Sequence, residues 1–285
     1  MNIAVLLTCY NRVEITLRGL DRLFGQCLPA NYQLDVFLVD DVSPDYTGKM
    51  VKARYPQVHV VEGTGELFWS RGMRLAWQTA VAHGDYDFFL WLNDDAWLED
   101  GGVAALLDDY GVMRSRYGEG IVVGTFHDGP DSHEVFYGCW NENRERVMPA
   151  GEPMPFDGEM SGNAVLVGQA VFMRIGMFHE GFHHGIADCD YAYSAREAGF
   201  VTCCSSSVLG WCAPNPAGDK GKLADMRLLE RIRMFYSLKG IDLPDYLLYK
   251  RRHWGRLGCA LSWCKAWANI LCPKLFPKNK ASHAQ

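Results

Sequence analysis

The sequence predicts an α/β fold built on a mostly parallel sheet. Three observations carry that prediction. Apolar runs of strand length alternate with stretches of helical spacing from residue 2 to residue 92. The connections between them are short, as in a parallel sheet covered by its own crossover helices. Runs such as Val36-Phe37-Leu38-Val39 are apolar throughout, which suits strands buried on both faces.

Taken in order, residues 2–7 read as a short buried strand. Residues 12–26 place Ile15, Leu17, Leu20, Leu23 and Phe24 at helical spacing. Residues 34–40 form a second strand, and 45–55 a helix that Pro56 stops. A third strand over 58–61, a helix over 69–83 and a fourth strand over 88–92 follow. Past about residue 125 the pattern loosens, and 126–160, rich in Gly, Pro and aromatics, reads as hairpins and loops. A strand at 164–167, a helix over 189–198 and a strand at 200–203 restore regular structure. Pro214, Pro216 and Gly218 mark a linker, and 223–272 read as helices interrupted at Pro244. The expected organisation is a domain over 1–215, with halves 1–125 and 126–215, and a helical C-terminal region over 216–285.

Composition narrows the class. Hydrophobic residues are 48% and charged residues 22% of the chain, which fits a globular protein and excludes a disordered one. The first residues lack a basic stretch and their apolar run is only strand length, so they read as a strand and not as a signal peptide. No run reaches the ~20 apolar residues of a spanning helix. The ten cysteines show no CxxC pair, so zinc spacing is absent, and free thiols in a reducing cytoplasm are the expectation. Charge is uneven. Residues 220–285 hold 14 Lys and Arg against 4 Asp and Glu, whereas residues 1–219 hold 14 against 30. An acidic body with a basic tail points to a metal-using domain tethered to an anionic surface such as a membrane.

Polar clusters fall at the carboxyl ends of three strands: Thr8-Cys9-Tyr10-Asn11-Arg12, Asp40-Asp41-Val42-Ser43-Pro44-Asp45 and Asn93-Asp94-Asp95. Ligands of open parallel sheets bind beyond those ends. Each Asp would also serve as a helix cap, and Asp45 is expected to do so. Capping does not explain two adjacent acidic pairs, because neighbouring carboxylates repel unless a cation neutralises them. Metal or nucleotide binding is therefore the favoured reading.

In these segments the chain resembles the family-two glycosyltransferases of the GT-A fold, over about residues 1–215. Thr8-Cys9-Tyr10-Asn11-Arg12 is similar to the family's T-x-Y-N-R strand end, and residues 39–45 to its V-D-D-x-S-x-D. Asn93-Asp94-Asp95 stands where the family carries its D-x-D-like metal motif. Asp188-Cys189-Asp190-Tyr191, with Arg196, Gly199 and Phe200 after it, is similar to the segment that carries its catalytic base. The resemblance implies a nucleotide pocket formed by Thr8, Tyr10, Arg12, Asp41, Arg71 and Asp94, with Asp41 reading the base and Asp94 approaching the ribose. It implies a metal on Asp95, Mn²⁺ or Mg²⁺, a general base at Asp188, and Asp190 as a neighbour holding the helix start. A hard cation would neutralise the departing diphosphate. One carboxylate across the sugar ring would take the acceptor's proton, giving single displacement with inversion. Asp188 is expected to stay ionised at the positive end of its helix.

The implied partners are a UDP- or dTDP-linked sugar and a glycan or lipid-linked glycan acceptor in surface polysaccharide synthesis, with no nucleic acid. The expected location is cytoplasmic, with peripheral contact to the inner face of the membrane. Two rival readings are a nucleotidyltransferase, which residues 8–12 disfavour because they lack a glycine to grip a triphosphate, and a non-catalytic sugar-nucleotide or glycan binder. Many family members carry a metal-binding His after the last core strand. Here Gly210-Trp211-Cys212-Ala213-Pro214-Asn215 has none. His179, His183 and His184 read as loop-packing residues ahead of acceptor contacts, and Phe136, Tyr137 and Trp140 as hairpin core ahead of sugar stacking. The apolar, aromatic and basic pattern of 246–271 leaves two readings open: an interfacial helix on anionic lipid, or a helix packed on the domain or on a second subunit.

Overall fold

The computed structural model describes residues 1–212, 223–238 and 240–273. The first half runs β1 (Asn2–Cys9), α1 (Val13–Phe24), β2 (Gln33–Asp40), α2 (Thr47–Arg54), β3 (His59–Glu62), α3 (Phe68–His83) and β4 (Phe88–Leu92). It continues through β5 (Ala96–Leu98), α4 (Gly102–Tyr117) and β6 (Gly120–His127). Four short strands follow: β7 (Val135–Tyr137), β8 (Cys139–Trp140), β9 (Arg146–Val147) and β10 (Met154–Pro155). Then come β11 (Ala164–Gly168), α5 (Gln169–Ile175), α6 (Ala187–Glu197) and the long β12 (Val201–Cys212), before α7 (Leu228–Tyr236) and α8 (Leu243–Leu271). The seven elements expected up to residue 92 are all present, and the 126–160 segment is hairpins and loops as its composition predicts.

The main sheet has the order β10-β12-β6-β11-β4-β1-β2-β3, with β5 on β12 and β7 on β6. β1, β2, β3 and β4 pair in parallel, as do β6 and β12, but β11 runs antiparallel between β4 and β6. Alternation along the strands sorts the core into two layers. Ile3, Val5 and Leu7 of β1 pack with Leu17, Leu20 and Leu23 of α1 and with Val103, Leu106 and Met113 of α4. Ala4 and Leu6 face the other way, toward Met73, Trp77 and Ala80 of α3 and Tyr191, Ala192 and Ala195 of α6. Every residue of β4 and β11 is buried, as helices on both faces require. All ten cysteines are free.

The C-terminal helices differ from expectation in one respect. Pro244 does not interrupt them; it sits in the first turn of α8, where a missing N–H has no intrahelical partner to lose. The break comes at Gly255, whose φ of 66° splits α8 into two helices. The first half packs into the main body, with Tyr249 buried in the same layer as α6. The second half packs on Phe235 of α7 through Ala266 and Ile270, joined there by Leu243 from the start of α8. The proposed linker at 214–218 lies outside the described residues.

Asp242, just before α8, has φ 49° and both carboxylate oxygens buried without a hydrogen-bond partner. Burial, and then the neighbouring charge of Asp245, push its pKa up to about 6. A native state that holds its proton more tightly than the unfolded chain loses stability as pH rises from the ordinary carboxylate range through that value. Asp242→Asn, which tolerates the left-handed backbone, should therefore raise the melting temperature above pH 6 and leave it unchanged at acid pH. Melting curves on both sides of that pH check this, and a gain of equal size at both would refute it.

Candidate active site

The carboxyl ends of β1, β2 and β4 converge with the start of β11 and the head of α6. β11 runs against β4 with Ala164 opposite Leu92, so Gly162 and Asn163 enter beside the end of β4. The amide of Asn93 donates to the carbonyl of Asn163 at 2.8 Å, and the amide of Gly162 donates to Asp188 Oδ2 at 2.9 Å. Two hydrogen bonds thus join the Asn93-Asp94-Asp95 segment to Asp188. Trp69 reinforces the join, because its indole N–H donates to Asn93 Oδ1 at 2.7 Å. Its ring covers Gly162, where a Cβ would meet it at 3.2 Å and Asp188 Cβ at 3.1 Å.

The acidic pair at the end of β4 shares one cation. Arg12 Nη1 lies 2.9 Å from Asp95 Oδ2 and 3.3 Å from Asp94 Oδ1. Thr16 donates to Asp94 Oδ2 at 2.8 Å. Burial raises the pKa of both carboxyls against the pull of Arg12. Asp94 is 5% exposed, and both its oxygens are engaged by α1 and Arg12. This carboxylate holds Arg12 and α1 in place. Asp95 is only half-buried and has Arg12 as its partner on one oxygen.

The other acidic pair differs. Asp41 accepts the amides of Gly65 at 2.7 Å, Leu67 at 2.9 Å and Phe68 at 3.3 Å. Asp40 accepts those of Ser43 at 3.1 Å and Gly48 at 3.0 Å. Capping, set aside at the sequence level for these two residues, is what their oxygens do. Backbone amides supply the neutralising positive charge, so no cation is needed. Asp41 shapes the 63–68 loop at the head of α3. Asp45 caps as expected, accepting the amide of Thr47 at 3.1 Å, and it also accepts the amide of Val13 at 2.9 Å.

Of the remaining sequence candidates, Tyr10 is exposed beside the loop after β2. Thr8 lies under α3, so close that a Cβ on Gly72 would stand 2.3 Å from its hydroxyl. Only glycine admits that approach. Arg71 donates to His183 Nε2. Since Arg can only donate, that nitrogen accepts, and the proton sits on Nδ1, which is 2.9 Å from Asp245 Oδ1. The amide of His183 also donates to Asp245, at 2.6 Å. His183 is thus more than loop packing: it links the head of α3 to α8. Asp190 pairs with Arg252 at 2.7 Å and His253 at 2.9 Å, so its carboxylate supports α6 from the side of α8 and not at the helix start. Phe136, Tyr137 and Trp140 are half-buried.

Asp188 accepts the amide of Cys189 at 2.7 Å as well as that of Gly162. Burial raises its pKa, and those amides oppose the rise. The net direction is opposite to the one expected from the helix terminus alone, because desolvation outweighs the terminus. Backbone strain surrounds the same residues. Asn11, Val42, Phe68 and Ile186 all have φ between 53° and 62°, and the β-branched Val42 and Ile186 are costly there. A cavity of about 500 Å³ lies elsewhere, lined by Arg74, Phe178, His179, Asp190 and Arg252. Its Arg252 and Asp190 pair with each other. Sequence reasoning missed Trp69 and Asn163, and it gave His183 a loop-packing role without its link to α8. The polar Gly162-Asn163 pair directly before a buried strand was the available signal for Asn163.

If Asp41 acts by shaping the 63–68 loop, Asp41→Ala should lower stability by about 3 kcal/mol, the scale of several amides losing a charged acceptor, with no nucleotide present. Urea unfolding of the free protein measures this. Unchanged stability with lost nucleotide affinity would instead make Asp41 a direct ligand contact.

Comparison with known proteins follows this geometry. A family model described as glycosyl transferase family 2 matches residues 4–145. No curated protein matches the chain. A mannosyltransferase from Pyrobaculum calidifontis, solved with GDP-Man and Mn²⁺, is similar in structure, with TM-score 0.55 and 18% identity over 98% of this chain and 81% of that one. S. aureus TarS 1–349 with UDP gives TM-score 0.56 and 12% identity over 100% and 95%. The same fragment with UDP-GlcNAc gives 0.53 and 12% over 95% and 81%. At such identities these structures show the fold, which is of the GT-A type. Residues 4–145 thus carry a glycosyl transferase family 2 domain, and with it the chain is a glycosyltransferase.

Proposed function

We propose that this enzyme moves a hexose-type sugar from a UDP- or dTDP-linked donor to a glycan or lipid-linked glycan acceptor, inverting the anomeric centre, in the synthesis of a surface polysaccharide. The observation that carries this reading is the join between Asp95 and Asp188 through Asn93, Asn163 and Gly162, which sets an acidic metal-type group and a separate carboxylate at one end of the sheet. The structural neighbours are complexed with nucleotide sugars of different bases, GDP-Man and UDP-GlcNAc, so the donor's base rests on the resemblance alone. The nucleotide is assigned to the cleft beside Thr8, Tyr10, Arg12 and Arg71, with the Asp41-held loop as its wall.

The residues fit a divalent cation. Two adjacent carboxylates share one guanidinium, which leaves net negative charge on hard oxygen donors. Among the described residues no cluster of three metal-type side chains occurs. Asp95 would therefore hold Mn²⁺ or Mg²⁺ together with diphosphate oxygens and water, as suits an ion that keeps most of its ligands from outside the protein. When bound, the ion supplies positive charge to the departing diphosphate. The chain's own residues do the rest. Asp94 and Thr16 fix α1, and Arg12 stands ready beside Asp95 to pair with phosphate. Asp188, oriented by the amides of Gly162 and Cys189, takes the proton from the acceptor hydroxyl oxygen as that oxygen attacks. Its raised pKa makes it a stronger proton acceptor than an ordinary carboxylate.

Asp95→Asn should abolish Mn²⁺-dependent binding of UDP or dTDP in calorimetry while the fold persists. Metal-dependent binding of wild-type strength in the variant would move the metal elsewhere. Asp188→Asn should leave donor affinity intact and lower turnover by roughly 10²–10⁴-fold, the usual share of a general base. NMR coupling constants of the product should show inversion; retention would overturn single displacement, and near-normal turnover would overturn the assignment of Asp188.

A further inference from the structure

We propose that the second half of α8 is a docking surface for an anionic lipid bilayer, a reading that rests on the proposal of a membrane-borne acceptor and gives it a place on the molecule. The break at Gly255 divides α8 by role. Before it, Asp245, Tyr249, Arg252 and His253 fasten the helix to the main body. After it, Ala266 and Ile270 are buried against α7. The opposite face carries Leu257, Leu261 and Leu271, which are 73%, 64% and 57% exposed. Spacings of four and ten residues put these leucines on one stripe, about 180° from the packed face. Arg256 and Lys265, both exposed, flank the stripe on its two sides. Trp263, 46% exposed, stands on the Arg256 side.

Charge selects the occupant. Asp245 is the last acidic residue in the chain, and the 40 residues after it hold eight Lys and Arg. Each cation near an anionic leaflet adds to the attraction, while leucines in the interface add apolar burial. A second copy of the chain would bring two cationic stripes together. The strongly acidic body is repelled by the same leaflet, so the attraction orients the enzyme on α8. No helix among the described residues is long and apolar enough to cross a membrane, so the leucine stripe has a surface to lie on and no span to make.

The test uses the full chain and vesicles of equimolar phosphatidylglycerol and phosphatidylcholine. Co-sedimentation at low salt should be strong, should weaken in high salt, and should fall roughly tenfold or more in the Leu257→Glu/Leu261→Glu variant. Hydrolysis of a soluble donor by that variant should match wild type, which also shows that it is folded. Wild type that fails to bind these vesicles, or a variant that binds as well as wild type, overturns the docking surface. So does analytical ultracentrifugation showing that the substitutions dissociate a dimer, which would give the stripe to a second copy. Vesicle binding that depends on both leucines, in a protein that turns over no sugar donor, supports the surface and instead refutes the transferase mechanism proposed above.

Discussion

Asp94 and Asp95 stand side by side at the end of β4, and one guanidinium answers both. Much of the donor half follows from that constraint. Arg12 must stand at the head of α1, and Thr16, one turn later, must face Asp94. α1 must lie close enough that a Cβ on Gly19 would come within 2.6 Å of the Asp94 carbonyl. The indole of Trp97 then reaches Ile15 O at 3.3 Å. The helix is therefore registered on the sheet by charge as well as by Leu17, Leu20 and Leu23. Apolar contact alone would let it slide, whereas charge-assisted hydrogen bonds specify distance and direction. The same arrangement leaves one negative charge in surplus on hard oxygen donors.

The repulsion between neighbouring carboxylates led to opposite outcomes at two places. At Asp94 and Asp95 the compensation is a side chain. At Asp40 and Asp41 it is a set of backbone amides, from Ser43, Gly48, Gly65, Leu67 and Phe68. An amide is invisible in a sequence, and those serving Asp41 lie 24 to 27 residues away along the chain. The first seven elements were legible because periodicity and breakers such as Pro56 act locally. The gathering of polar residues at strand ends was legible because a parallel sheet sends all its carboxyl ends one way. The antiparallel entry of β11 between β4 and β6 was not, since strand direction is decided by how a long connection crosses the molecule. Nor was the break in α8. A proline is tolerated in a first turn, and a mid-helix glycine announces a kink only when its φ is known.

The strained residues have a common logic. Val42 follows Asp41, Phe68 opens α3 beneath that same carboxylate, and Ile186 comes two residues before Asp188. Each left-handed conformation costs on the order of 1–3 kcal/mol. Asp41 offsets part of that cost by holding the amides of Leu67 and Phe68, and Ile186 gains when its carbonyl receives the amide of Asp190 at 2.9 Å. The reversals turn the chain sharply after β2 at Val42 and at the heads of α3 and α6 at Phe68 and Ile186. The strain is compatible with stability because the cores on either side of the sheet are dense and over-determine the backbone between them.

The C-terminal helix belongs to this arrangement and is not an appendage to it. Asp188 is bracketed by two residues, His183 and Asp190, that reach α8. Upstream, His183 joins Arg71 to Asp245 and gives its carbonyl to the amide of Ser70 at 3.2 Å. Downstream, Asp190 holds Arg252 and His253. The loop that delivers the chain to Asp188 is thus fixed at both ends by residues 245–253, well beyond the 4–145 span of the family match. A boundary drawn at residue 215 would cut between the carboxylate and the groups that aim it. In the first half charge and register are set by α1 and β4, whereas the loop that carries Asp188 and the head of α3 are both tied to α8. A change in α8 before Gly255 would therefore reach the loop ahead of Asp188 and, through His183, Arg71 at the head of α3, by hydrogen bonds already in place, before it reached Arg12, Asp94 and Asp95.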